Sequence, residues 1–266
     1  MELIQSAQNQ WVKLAASLKQ KKYRDESGCF LLEGVRLVEE LVQSSWQVEF
    51  VFVTQELSQS DRGRRLVGSL AAKSQVYQVS EGLLTKICDT KEPQGVVAIA
   101  RQQSVKLSEL TVTATVNPLL VLVDGIQDPG NLGTLIRTAD AAGCNGLLLI
   151  HSVDLFNPKT VRASMGSLFN LPVVVSNQEL LLTWLEGNNI ALFGTAVTDA
   201  VLYYDVDWRQ PACVVVGNEG QGVRKELLAR CRQNVHIPLL GKAESLNVSI
   251  AAAVILYEIL RQRVKA

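Results

Sequence analysis

Apolar residues along the chain fall into two patterns, and the change comes near residue 118. In the earlier part they occur in short clusters between polar helical segments. Gln10–Lys22 reads as a helix, Cys29–Leu32 as a strand and Val35–Gln43 as a helix, with Val48–Val53 and Gly95–Ala100 as further strands. That is the pattern of a small α/β unit over residues 1–103. Residues 104–117, rich in Ser, Thr and Val and followed by Pro118, read as a linker. From Leu119 the apolar runs become continuous: Leu119–Val123, Gly146–Ile150, Val173–Val175, Ala191–Phe193 and Cys213–Val216. Asp124–Gly133 reads as a loop, with helices at Thr134–Ala142 and Ile250–Arg261. Short apolar strands alternating with helices predict a mainly parallel sheet covered on both faces, over residues 118–266. Ligands in such sheets bind beyond the carboxyl ends of the strands.

Composition narrows the function classes. The 266 residues are enough for two domains, and 26 Lys+Arg balance 26 Asp+Glu. No global basicity announces a nucleic-acid partner, although a local patch would suffice for one. Five cysteines are scattered without a CxxC pair, and the only histidines are His151 and His236. Neither a disulfide framework nor a metal site is expected, and reduced thiols point to the cytoplasm. The start of the chain lacks a signal-peptide pattern, and no apolar run is long enough for a membrane span, so no membrane partner is expected.

Three loops could carry chemistry. The first, Asp128-Pro129-Gly130-Asn131-Leu132-Gly133, leads to Arg137. Its Gly130-x-x-Gly133 spacing is not GxGxxG, and no P-loop Lys-Ser/Thr follows, which disfavours a dehydrogenase or another nucleotide-binding enzyme. Arg137 can project toward whatever the loop binds, or form an ordinary helix ion pair; Asn131 can be a turn residue or helix cap. The second loop is Gly217-Asn218-Glu219-Gly220-Gln221-Gly222. There Glu219 either caps the next helix or contacts a ligand, and the glycines permit close backbone approach. The third runs from Ile237-Pro238-Leu239 to Ser245-Leu246-Asn247-Val248-Ser249. Ser245 and Asn247 can accept the unpaired N–H groups of the helix that follows, and the same N–H groups can hold a polar ligand. Asn131, Arg137, Glu219, Ser245 and Asn247 together include no thiol or imidazole nucleophile, no paired acids and no metal cluster. They supply hydrogen bonds and positive charge, which suits the orientation of two substrates.

In this order the three segments resemble the three signature motifs of the SpoU (TrmH) family, SPOUT-class methyltransferases acting on RNA. Asn131-x-Gly133-x-x-x-Arg137 matches the first motif, Gly217-Asn218-Glu219-Gly220 the second, and Ile237-Pro238 through Ser249 the third. Arg162-Ala163-Ser164-Met165-Gly166-Ser167, ending at Leu171-Pro172, is also similar to the family. The resemblance implies a parallel-sheet domain with a deep trefoil knot, S-adenosyl-L-methionine as methyl donor, a homodimer, and methylation of a ribose 2′-hydroxyl. It places Thr195, Gly217, Ile237 and Leu246 at the cofactor, and Arg137, Asn131, Glu219, Ser245 and Asn247 at the reacting ribose. The Asn131/Arg137 pair favours ribose over base methylation. By the same resemblance Arg162 touches RNA, with a structural ion pair as the alternative.

The first part, through Phe30-Leu31-Leu32-Glu33-Gly34-Val35-Arg36-Leu37-Val38-Glu39 and Gly95-Val96-Val97-Ala98, resembles the RNA substrate-binding domain often joined to this family. That makes Lys13, Lys19, Lys21, Lys22 and Arg24 candidate phosphate contacts, against the alternative of a solvated basic face. The expected substrate is structured RNA, with ribosomal RNA ahead of tRNA by family association. A non-catalytic RNA-binding or assembly protein of the same fold is the remaining alternative.

Overall fold

The computed structural model describes residues 1–112 and 117–264. They form two units: Met1–Gln103 with Asp154–Phe169, and Ser104–Val153 with Asn170–Ala266.

In the first unit the elements are β1 (Glu2–Ile4), α1 (Gln10–Ser17), α2 (Lys21–Ser27), β2 (Cys29–Glu33), α3 (Val35–Gln43), β3 (Val48–Thr54), α4 (Gln55–Gln59), α5 (Asp61–Ala71), β4 (Gln75–Val79), α6 (Glu81–Ile87) and β5 (Val96–Arg101). The sheet order is β1-β4-β3-β5-β2, with β5 antiparallel to both its neighbours. Phe50, Phe52, Tyr77, Val97 and Ile99 build one core face against Val12, Ala15, Leu18, Leu83 and Leu84. The single helix expected over Gln10–Lys22 is broken. Leu18 is buried where α1 closes, the backbone at Gln20 is extended, and the chain restarts as α2. Burying Leu18 fixes the turn and overrides the helical pattern on either side.

The second unit holds β6 (Leu119–Asp124), α7 (Pro129–Ala141) and β7 (Gly146–Ile150). The chain then contributes α8 (Pro158–Ser164) to the first unit. It returns through β8 (Val173–Val175), α9 (Gln178–Gly187), β9 (Ala191–Thr195), β10 (Val201–Leu202), β11 (Ala212–Gly217), α10 (Lys225–Leu228), β12 (Gln233–His236) and α11 (Val248–Val264). All seven strands are parallel, in the order β10-β12-β9-β11-β6-β7-β8. The register aligns Gly217 with Asp124 and Asp124 with Ile150, so the carboxyl ends of β11, β6 and β7 finish side by side.

Three expectations change here. The helix read from Thr134 begins at Pro129, because Asp128 accepts the Asn131 N–H at 2.9 Å and a proline in the first turn needs no donor partner. Residues 104–112 are no tether: Leu110 and Val112 are buried in the core of the second unit. Residues 113–116 of the expected linker lie outside the described residues. Asp154–Phe169, expected with the second domain, belongs to the first unit, where Phe156 lies 4.9 Å from Phe30 and Phe169 lies 5.3 Å from Trp46.

Candidate active site

The site is built on the second glycine loop. Asn218 and Gly222 exchange backbone hydrogen bonds at 3.0 and 2.9 Å, folding the chain into a tight hairpin directly after β11. Gly217 is required by this fold, since a Cβ there would sit 2.1 Å from backbone atoms of Gly222 and Val223. The Asn218 Oδ1 accepts the N–H groups of Gly220 and Gln221, while its Nδ2 donates to the Gly125 carbonyl at 2.8 Å. At the hairpin's far end Arg224 donates from its backbone N–H and Nε to the buried Asp124 carboxylate, and from Nη2 to Gln178. These ties fix the hairpin to the end of β6.

Glu219 rides on that hairpin. Its Oε2 accepts the Gln127 N–H at 3.2 Å; its Oε1 accepts the Asp128 N–H at 3.1 Å and the Asn131 Nδ2 at 3.0 Å. Burial alone would raise the Glu219 pKa. The hydrogen bonds from Asn131 and from the loop backbone outweigh it and leave the carboxyl below its ordinary value. Asn131 in turn accepts from the Asn247 Nδ2 at 2.9 Å, and the Asn247 Oδ1 caps α11 through the Ser249 N–H at 3.0 Å. Of the five residues expected at the ribose, the structure therefore joins Asn131, Glu219 and Asn247 in one chain. Glu219 caps α7, not the helix that follows it in sequence.

Arg137 is exposed on α7, one turn beyond Thr134, and forms no ion pair among the described residues. Ser245 is exposed and outside the hydrogen-bonded chain. Three of the four expected cofactor residues lie at the carboxyl ends of neighbouring strands: Thr195 ends β9, Gly217 ends β11 and Ile237 follows β12, while Leu246 precedes α11. Among the described residues, Ile237 through Leu246 make no hydrogen bond, and Leu239, Leu240 and Leu246 are exposed. Free backbone groups beside apolar side chains fit a ligand with a flat heterocycle and polar edges, as S-adenosylmethionine has.

The basic candidates of the first unit separate. Lys13 is exposed, Lys21 pairs with Asp25 at 2.6 Å, Lys22 stands 3.9 Å from Glu26, and Lys19 donates to the Lys86 carbonyl. Arg24 is corrected: it is buried, and its guanidinium is taken up by Asp154 at 2.6 Å and by the Leu18 and Lys19 carbonyls, leaving nothing for phosphate. Arg162 forms the ion-pair alternative, with Asp89 at 3.2 Å and Glu33 at 3.9 Å. Sequence reasoning missed Asp124 and Arg224 altogether. The only signal was a carboxylate closing an otherwise apolar strand.

Burial pushes the Cys88, Cys144 and Cys231 thiols up to about 12, so none is poised as a nucleophile. Among the described residues no His/Cys/Asp/Glu group could hold a metal, and no helix is long and apolar enough to cross a membrane.

Residues 118–257 match the SpoU rRNA Methylase family, and residues 9–98 match the MRM3-like substrate binding domain. The chain is 38% identical over 260 residues to 23S rRNA (guanosine(2553)-2′-O)-methyltransferase RlmP of Bacillus subtilis (strain 168), covering 97% of this chain and 99% of that one. It is 34% identical to the 23S rRNA (uridine(2479)-2′-O)-methyltransferase of Streptomyces viridochromogenes, covering 94% of this chain and 88% of that one. The crystal structure of the SpoU methyltransferase AviRb from Streptomyces viridochromogenes, in complex with the cofactor AdoMet, superposes with a TM-score of 0.89 at 32% identity, covering 97% of this chain and 100% of that one. The hairpin-borne Glu219, the Asn131/Arg137 helix and the Asn247 cap thus sit in a protein that belongs to the SpoU rRNA methylase family.

Proposed function

We propose that this protein transfers a methyl group from S-adenosylmethionine to a ribose 2′-hydroxyl of ribosomal RNA. The observation that carries the reading is the Asn247–Asn131–Glu219 chain. It draws three loops to one point beyond parallel strands, in a chain whose relatives include two 23S rRNA 2′-O-methyltransferases.

When bound, S-adenosylmethionine supplies a methyl carbon already activated on a sulfonium. What the protein must add is alignment of the hydroxyl and a route for its proton. Arg137 follows Asn131 on α7 and forms no ion pair among the described residues, and we assign it to the phosphate flanking the target ribose. A guanidinium is a poor proton acceptor, and Glu219 already accepts three donors. Both residues therefore orient, and the proton passes to solvent as the ether forms. Asn131, Asn247 and Ser245 shape the ribose pocket, while Thr195, Gly217, Ile237 and Leu246 line the cofactor site. Structured RNA is gripped through the salt-dependent charges of Lys13, Lys19, Lys21 and Lys22, with Arg162 held in its ion pairs. The same reading includes a cytoplasmic homodimer whose C-terminal segment threads a trefoil knot.

The test is incubation with radiolabelled S-adenosylmethionine and unmodified 23S rRNA transcript, with bulk tRNA in parallel. Label should enter the ribosomal transcript as an alkali-resistant dinucleotide. Arg137→Ala should lower the rate by about a hundredfold or more while cofactor binding persists, the scale of losing a charged group at the reacting centre. Absence of cofactor binding would sink the reading, and label confined to tRNA would move the substrate class.

A further inference from the structure

A cavity of about 490 Å³ opens beside the catalytic network, lined among others by Gln127, His151, Gln221 and Arg224, with Gly125 and Gly222. It lies at the ends of β6, β7 and β11. Of the expected cofactor residues, Thr195 and Ile237 lie at the ends of β9 and β12, on the other side of β11 from β6, while Gly217 ends β11 itself. Glu219 borders the cavity, because the Gln127 N–H that it accepts belongs to the cavity wall.

The wall carries unspent hydrogen-bonding capacity. The Gln127 Nε2 is committed to the Gly125 and His151 carbonyls at 3.2 and 3.4 Å, which leaves its Oε1 as an acceptor facing no described partner. The Gln221 backbone N–H is held by Asn218, while its side-chain amide and the His151 ring make no hydrogen bond among the described residues. His151 also holds a left-handed backbone, φ 51°, which glycine adopts without strain. Gly125 and Gly222, at φ 75° and 71°, leave bare backbone between these groups. Amides, an imidazole face and bare backbone around a pocket of nucleoside size, within about 300–1,000 Å³, suit a flat heterocycle with donors and acceptors on its edge. Sequence-specific RNA readers capture unstacked bases in this way, by stacking and edge hydrogen bonds.

We infer that this cavity receives the base of the nucleotide being methylated, with Gln127, His151 and Gln221 reading its edge and face. Arg224, pinned to Asp124 and Gln178, holds the wall in place. The inference rests on the RNA-methylating reading.

It is tested with 23S rRNA transcripts carrying 4-thiouridine or 6-thioguanosine, photocrosslinked to the full-length protein and mapped by mass spectrometry. Crosslinks are expected on peptides containing His151 or Gln221. Kinetics add an independent arm. His151→Gly and Gln221→Ala should raise KM for RNA by about tenfold, as one lost base contact does, with the dissociation constant for S-adenosylmethionine unchanged. The Tm of His151→Gly should be kept or raised, since glycine accepts the left-handed backbone. Crosslinks that avoid the cavity while the wild type methylates would overturn this inference alone, as would unchanged KM in both variants. A wild type that binds no cofactor yet crosslinks through the cavity would sink the methyltransferase reading and overturn the assignment to a methylated nucleotide, showing a cavity that binds a base without reaction.

Discussion

Glu219 contributes through what it accepts rather than through what it removes. Its three donors include one from the start of α7, so the carboxylate caps a helix and orients Asn131 with the same two oxygens. Because its folded pKa is depressed, the stability it contributes is full above the ordinary glutamate value, about 4.3, and is lost as the pH falls through the lower folded value. Glu219→Gln should therefore lower Tm near neutral pH, and the gap from wild type should close in acid; a gap independent of pH would contradict the hydrogen-bonded carboxylate. Two basic residues of the first unit make a contrasting pair. Arg24→Met leaves Asp154 and two carbonyls without their donor and should cost about 3 kcal/mol in denaturant unfolding, while the salt slope of RNA binding stays unchanged. Lys13→Ala should do the reverse, sparing stability and lowering the salt slope by about one.

The hairpin after β11 and the first turn of α7 act as one piece. Gly217 lets the returning strand pass at a distance no Cβ tolerates, Asn218 ties the tip to Gly125, and Arg224 ties the base to Asp124. Gly217→Ala should force the hairpin off β6, costing about 2 kcal/mol or more of stability and most of the methyl transfer. Paired measurement of Tm and kcat decides it: full activity at wild-type Tm would show that the hairpin tolerates a side chain. This element also shows where sequence reading stops. The motif residues stood out through the family resemblance; by themselves Asn131 and Glu219 stayed open between capping and ligand contact. Asp124 and Arg224 lie 100 positions apart, and only the parallel register of β6 and β11 brings them together. The helix start at Pro129 was legible in principle, since Asp-Pro is a capping signature, but the glycines that follow made the segment look like loop.

The second unit leaves apolar side chains uncovered on one stripe of α11, where Ile250 and Tyr257 lie two turns apart, and on the neighbouring loop at Leu240. For the proposed homodimer we assign this stripe to self-association, with Arg137 reaching the phosphate beside the ribose at the partner subunit's site. Mixing Arg137→Ala with Gly217→Ala should then restore transfer that neither variant has, because a mixed dimer contains one intact composite site. A mixture as inactive as its components would place Arg137 in its own subunit's site.

Local chemistry was enough to set several features in advance. Continuous apolar runs demanded a buried parallel sheet, because a strand covered on both faces has no polar side. Glycines after the apolar runs marked the loops, because glycine permits close backbone approach, and Ser and Asn before an apolar helix marked its cap. The break at Leu18, the burial of Arg24 and the transfer of Asp154–Phe169 to the first unit could not be read this way. Nor could the Asp124–Arg224 tie or the cavity at His151. Each depends on which distant segment lies alongside, and a side chain's fate between solvent and partner is settled by that neighbour rather than by its own sequence position.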